Sequence, residues 1–205
     1  DVALGTLQQV VAEPRFDTAA VERVRQQMQI ALRRSLQSPA SVAKRRFFKT
    51  LYADHPYAHP SNGTEESMQD MSREAVSAFH EKYYVGNNAV IAIVGAVDKA
   101  GAKRLAEQVV GRLPMGERAP VLPAVDIVDA NVRDEIEFVS SQAHLYIGVP
   151  VLTRKDPDYF PLYVGNHVLG GSGLVSRISV EVREKRGLAY SAYSYFSPMR
   201  GPGPF

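Results

Sequence analysis

Residues 89–97 read Ala-Val-Ile-Ala-Ile-Val-Gly-Ala-Val, a continuous apolar run rich in Val and Ile. Such a run predicts a strand buried on both faces, because a strand with one wet face would alternate apolar and polar residues. Helical signals flank it. Upstream, Ser72 is placed to cap a helix running through Phe79 to Tyr84; downstream, Asp98 caps another that extends to Arg112. Helix, buried strand and helix in that order predict a layered α/β or α+β domain.

Further toward the start, Phe16-Asp17-Thr18 offers a cap, and Val21, Val24, Met28, Ala31, Leu32 and Leu36 recur at helical spacing. They predict a helix over 17–36, with Gln26, Gln27, Arg33 and Arg34 on its wetter face. Ser38-Pro39 restarts the chain, since proline is favoured at a helix's first position, and a second helix follows through Val42, Phe47, Phe48 and Leu51. Residues 54–63 (DHPYAHPSNG) hold two prolines and an Asn-Gly and are expected to be loop. In the other direction, residues 113–123 (LPMGERAPVLP) carry three prolines and a glycine and form the best linker candidate. The pattern then restarts: 133–139 and 144–149 read as strands, and Asp156-Pro157 opens a helix to Leu169. Gly170-Gly171-Ser172-Gly173 breaks that helix. Leu174, Ile178 and Val182 define the apolar stripe of a shorter one, with Arg177, Glu181 and Lys185 opposite, and Gly187 stands where a helix C-terminus favours a left-handed residue. Residues 188–196 (LAYSAYSYF) alternate small and aromatic side chains like a strand.

Composition narrows the function classes. The chain has 205 residues, with 24 Lys and Arg against 22 Asp and Glu. So balanced a surface argues against nucleic acid as a partner and against an anionic membrane, since both call for a concentrated basic field. The nine apolar residues of 89–97 are too few to cross a bilayer, so no membrane insertion is expected. Zero cysteines exclude disulfides, thiolate catalysis and Cys-ligated zinc or iron–sulfur sites. The sequence starts at Asp1 with no signal peptide and reads as a mature product or an internal piece. The compartment stays open, a bacterial periplasm being placed ahead of the cytoplasm.

The residues that could carry chemistry are few. His55 and His59 stand four apart, but Pro56 and Pro60 forbid a regular helix there, so a metal would have to be held by a loop with Asp54 or Glu65 near. His80-Glu81 has Tyr84 where a zinc helix needs a second histidine. His144 and His167 have no acidic neighbours in sequence. Gly170–Gly173 lacks the Gly-Lys-Ser/Thr of a phosphate cradle and follows a helix where a dinucleotide fingerprint follows a strand. No Gly-x-Ser-x-Gly is present. Residues 181–190 (EVREKRGLAY) read on their own as a charge-paired helix end followed by a strand.

Taken together, the motifs resemble a family. Residues 170–190 (GGSGLVSRISVEVREKRGLAY) resemble the second-domain signature of the M16 zinc peptidases, the pitrilysin and mitochondrial-processing-peptidase type. His55-Pro56-Tyr57, the run from Asn62 to Ser67 (NGTEES), the run from Phe79 to Tyr84 (FHEKYY) and Asn87-Asn88-Ala89-Val90 with Val94-Gly95 resemble its first domain, in family order. The resemblance implies an α+β fold of two homologous units, each a mostly antiparallel sheet backed by helices and each incomplete here. Residues 1–113 would be the rear part of the first unit, 114–130 the linker and 131–205 the opening part of the second.

The resemblance also implies a division of roles. Catalytic relatives bind zinc through an inverted His-x-x-Glu-His motif and a glutamate on a later helix. The first lies upstream of this sequence, and the two glutamate positions of the later helix fall on Val24 and Ala31, which ligate nothing. No catalytic residue, no metal ligand and no cofactor are therefore expected in this chain, zinc being held by a partner subunit. Arg183 and Tyr190, seven positions apart, match the family's substrate-contacting pair. A guanidinium and a phenol can hydrogen-bond the carbonyl groups of an extended peptide near the scissile bond and the oxyanion that develops there. The implied function is an inactive subunit of an M16-type heterodimeric endopeptidase that positions the peptide beside a zinc-bearing M16-like subunit. Two alternatives stand beside it: a self-sufficient zinc peptidase whose His-x-x-Glu-His lies upstream, and an assembly subunit like the respiratory-complex core proteins.

Overall fold

A computed structural model describes residues 2–127 and 130–205. The chain divides into two compact units, Asp1–Ser35 with Ser61–Leu122, and Leu36–Pro60 with Pro123–Phe205.

The first unit is built from helices α1 (Val2–Ala12), α2 (Thr18–Leu36), α4 (Glu65–Gln69), α5 (Arg73–Tyr83) and α6 (Lys99–Val110), α3 lying in the second unit. The caps explain several of their starts. Ser72 Oγ accepts from the Ala75 amide and Asp98 Oδ1 from the Gly101 amide at 2.7 Å, each satisfying one amide that a helix's first turn leaves free. Thr64 and Ser67 exchange side-chain and backbone bonds in a capping box that starts α4, a helix inside the stretch just after the predicted loop. Tertiary contacts then fix the helices. α1 packs on α6. The Arg73 guanidinium donates to the Phe16 carbonyl at 2.8 Å, and Arg25 donates to that of Gln69 at 3.1 Å. Leu32, Met68 and Val85 are buried. Gly116, at φ +51, lets the chain close over Val85; a Cβ there would lie 2.4 Å from a Val85 methyl.

The second unit starts with α3 (Pro39–Tyr52), capped by Ser38 and opened by Pro39 as the sequence predicts. Tyr52 is buried and donates through its hydroxyl to the Pro202 carbonyl; the Tyr57 hydroxyl accepts from the Gly201 amide at 2.9 Å. The phenol of Tyr52 is pushed up to about 12, first by burial and then by the neighbouring Tyr57. Helix α7 (Tyr159–Asn166) runs on into a wider π-type turn, His167–Gly171. A 3-10 turn (Gly173–Val175), the short helix α8 (Arg177–Ser179) and a second π-type turn (Val180–Glu184) follow.

The α+β expectation, with antiparallel sheets, is overturned. The described residues are helical where they are regular and contain no sheet; one isolated antiparallel bridge joins Pro150 and Pro204. The segments 89–97, 133–139, 144–149 and 188–196, all predicted strands, form none. Residues 89–97 are not buried on two faces either: Val90 and Val94 are 96% and 98% exposed. The physical reason is that an apolar run records a preference of side chains, whereas a strand exists only with a neighbour to complete its hydrogen-bond ladder. At the bridge, Val149 and Phe205 exchange backbone bonds and Val151 donates to Gly203. Both bridge residues are prolines and lack the amide that would extend the ladder.

Candidate functional site

The charged stretch of the second unit brings two of the expected residues together. Arg183 lies in the Val180–Glu184 turn and Tyr190 just beyond it, and the guanidinium carbon sits 5.3 Å from the phenol ring centroid. That is a cation–π contact. The reversal between them depends on Gly187, which adopts φ +61, a left-handed conformation that a side chain would oppose. Its amide donates to the Arg183 carbonyl and the Leu188 amide to that of Val182, closing the turn. Tyr190 is 87% exposed and Arg183 half-buried, so the pair presents an aromatic face and free guanidinium hydrogens to solvent.

Charge is organised around the pair by Glu181. Lys185 Nζ and Arg186 Nη1 each donate to its carboxylate at 2.6 Å, and the Arg186 guanidinium also donates to the Glu181 carbonyl at 2.7 Å. The hydrogen bonds from Lys185 and then Arg186 hold this carboxyl down at about 2. Glu181 is thereby occupied by Lys185 and Arg186, the two cations that follow Arg183 in sequence.

The histidines go elsewhere. His55 Nδ1 accepts from the Tyr57 amide while Nε2 meets the Pro123 carbonyl at 3.1 Å, which uses both ring nitrogens in holding a loop. His59 is exposed. His80 bonds the Val11 carbonyl at 2.8 Å and stacks on Tyr84 at 4.5 Å. His144 and His167 are exposed. Asp54 pairs with Lys49, and Glu65 with Arg33 at 2.5 Å. Val24 and Ala31 both lie on the exposed side of α2. Among the described residues, no group of three or more His, Asp or Glu could hold a metal ion. Held apart in these separate contacts, the histidines and carboxylates of the described residues do not fit zinc. A cleft of about 240 Å³ in the first unit, lined by Val11, Tyr83, Tyr84, Val85, Ile91 and Val110 among others, is mainly apolar.

One polar cluster was not anticipated from the sequence. Asn166, at the end of α7, is 7% exposed and bonds Ser194 twice. The only hint was Asn166 standing in an otherwise apolar helix before the glycines. Gly170 serves close packing: a Cβ there would fall 2.2 Å from Ser194 Oγ.

Comparison with known proteins shows what the chain is similar to. Residues 70–205 match the peptidase M16 inactive domain. An uncharacterised zinc protease of Streptomyces coelicolor is 33% identical over 165 residues, covering 78% of this chain and 36% of the relative. One of Mycobacterium tuberculosis is 34% identical over 181 residues, covering 87% of this chain and 41% of the relative. The crystal structure of a peptidase M16 inactive domain from Pseudomonas fluorescens superposes with a TM-score of 0.91 at 36% identity, over 99% of this chain and 49% of that one. The chain thus spans less than half the length of each of these relatives.

Proposed function

We propose, for a chain that belongs to the peptidase M16 family through its inactive domain, that it is the substrate-positioning partner of a zinc endopeptidase, a second M16-like subunit supplying the metal. The observation that carries this reading is the exposed Arg183–Tyr190 stack. The guanidinium keeps hydrogen-bond donors for peptide carbonyls, and the ring keeps it from swinging into solvent. Among the described residues, no group of three or more His, Cys, Asp or Glu that could hold a metal ion accompanies the pair. Binding and orienting an extended peptide is work that needs none, since main-chain hydrogen bonds supply the affinity.

A quenched peptide tests it, offered to the full-length protein alone and mixed with a zinc-bearing M16 subunit encoded beside it. Cleavage only in the mixture, with kcat/KM lowered about a hundredfold by Arg183→Ala, is the expected result; a catalytic-site arginine hydrogen-bonding a carbonyl is worth that order. Cleavage by the protein alone would support the second reading, a self-sufficient zinc peptidase. That reading is favoured by the zinc-protease names of the Streptomyces and Mycobacterium relatives. Equal cleavage by the mixture with and without Arg183→Ala would instead favour an assembly subunit.

A further inference from the structure

We propose that Asn166, through Ser194, is a positioning residue for Tyr190, a role that rests on the peptide-contact reading of Tyr190 given above. Tyr190 belongs to an exposed segment with no ladder to hold it: Leu188 is 74%, Tyr190 87% and Tyr193 66% exposed. Two pins bound that segment. The first is the closure of the preceding turn, where the Gly187 and Leu188 amides donate to the Arg183 and Val182 carbonyls at 3.0 Å each. The second is a clasp at Ser194. There the Asn166 Nδ2 donates to the Ser194 carbonyl at 3.2 Å, the Ser194 hydroxyl donates to Asn166 Oδ1 at 2.5 Å, and the Ser194 amide donates to the Gly170 carbonyl at 3.3 Å.

The clasp is well placed to act at a distance. Asn166 is buried, so its amide cannot exchange these partners for water without cost, and both of its polar atoms are used on one residue. Gly170 completes it, because any side chain there would strike Ser194. Between the pins, residues 189–193 are too few to wander far, and Tyr190 meets the Arg183 guanidinium within that short arc. With the far pin removed, the arc becomes a tether held at one end, and the phenol loses its fixed register on the guanidinium. Asn166 touches no peptide in this scheme; it acts by limiting where Tyr190 can be.

The test is a double-mutant cycle in the full-length protein mixed with its zinc-bearing subunit, read beside amide hydrogen exchange. Tyr190→Phe and Asn166→Ala are each expected to lower kcat/KM about tenfold, and the double variant no further, since the two act on one contact. Exchange of the Ser194 amide, which the clasp holds on the Gly170 carbonyl, is expected to rise about tenfold in Asn166→Ala while the amides of α2 stay unchanged. Ser194→Ala, which spares the buried amide, should give the same pattern more weakly if Asn166→Ala proves too unstable to handle. Additive losses in the cycle would overturn the positioning role while leaving the peptide-contact reading intact. No loss from Tyr190→Phe would remove the peptide-contact reading, and the exchange result then decides the clasp: unchanged exchange at the Ser194 amide in Asn166→Ala overturns it.

Discussion

At Glu181 a single carboxylate gathers two of the three cations that follow it in sequence. Lys185 and Arg186 satisfy it directly, and Arg183 is left to stack on Tyr190. Its folded value of about 2 lies below the ordinary 4.5, so the charged form is favoured in the folded chain. The sign follows from linkage: a depressed carboxyl contributes stability that is complete above pH 4.5 and is lost as pH falls toward 2. The side chain is half-exposed to solvent, so water and salt screen the contribution and it is small at physiological ionic strength. Carboxyl NMR should place the Glu181 midpoint near 2, and raising the salt concentration should move it toward 4.5. A midpoint already at the ordinary value would mean that Lys185 and Arg186 do not hold it in solution. Gly187 makes the second residue-scale prediction. At φ +61 an alanine pays the left-handed penalty, so Gly187→Ala should destabilise the second unit by about 1–2 kcal/mol in urea unfolding.

At the scale of elements, helix ends are decided by short-range chemistry. Asp98 Oδ1 accepts from the Gly101 amide at 2.7 Å at the start of α6, the helix that packs on α1. Asp98→Ala should therefore cost about 1 kcal/mol, with Asp98→Asn keeping most of it, as measured by chemical denaturation. Equal losses for both variants would show that the residue contributes charge and not a cap. Elements that begin and end within one stretch of sequence were legible in advance. α3 starts at Pro39 after Ser38, α5 after Ser72 and α6 after Asp98, because the acceptor sits three residues from its donor. α1 was not foreseen: Val2–Ala12 contains no charged residue to mark a wet face, and it is positioned by packing on α6. α7 was expected to run to Leu169 but ends as a regular helix at Asn166, where the Gly170–Ser194 approach widens the following turn.

For the molecule as a whole, the absence of a sheet among the described residues makes a prediction that separates helical packing from layered packing. Leu32 in α2 is 4% exposed, and Leu32→Ala should cost about 2–5 kcal/mol, the range for a buried leucine. Val94, in the run that reads most like a buried strand, is 98% exposed, so Val94→Ser should cost less than about 0.5 kcal/mol. A loss at Val94 comparable to that at Leu32 would demand a strand buried on both faces there.

Sequence alone accounts for the starts of α3, α5 and α6, the left-handed turn at Gly187 and the spacing of seven between Arg183 and Tyr190. Each is a local matter, settled by residues within a few positions of one another, and the family resemblance that singled out the pair is written in contiguous motifs. Tertiary contacts were needed to show that 89–97 and 188–196 lack strand partners, that His55 bonds the Pro123 carbonyl and His80 the Val11 carbonyl at the end of α1, and that Asn166 meets Ser194 across 28 residues. Those outcomes depend on which distant groups arrive to complete a hydrogen bond, and periodicity in a sequence records a side chain's preference without naming its partner.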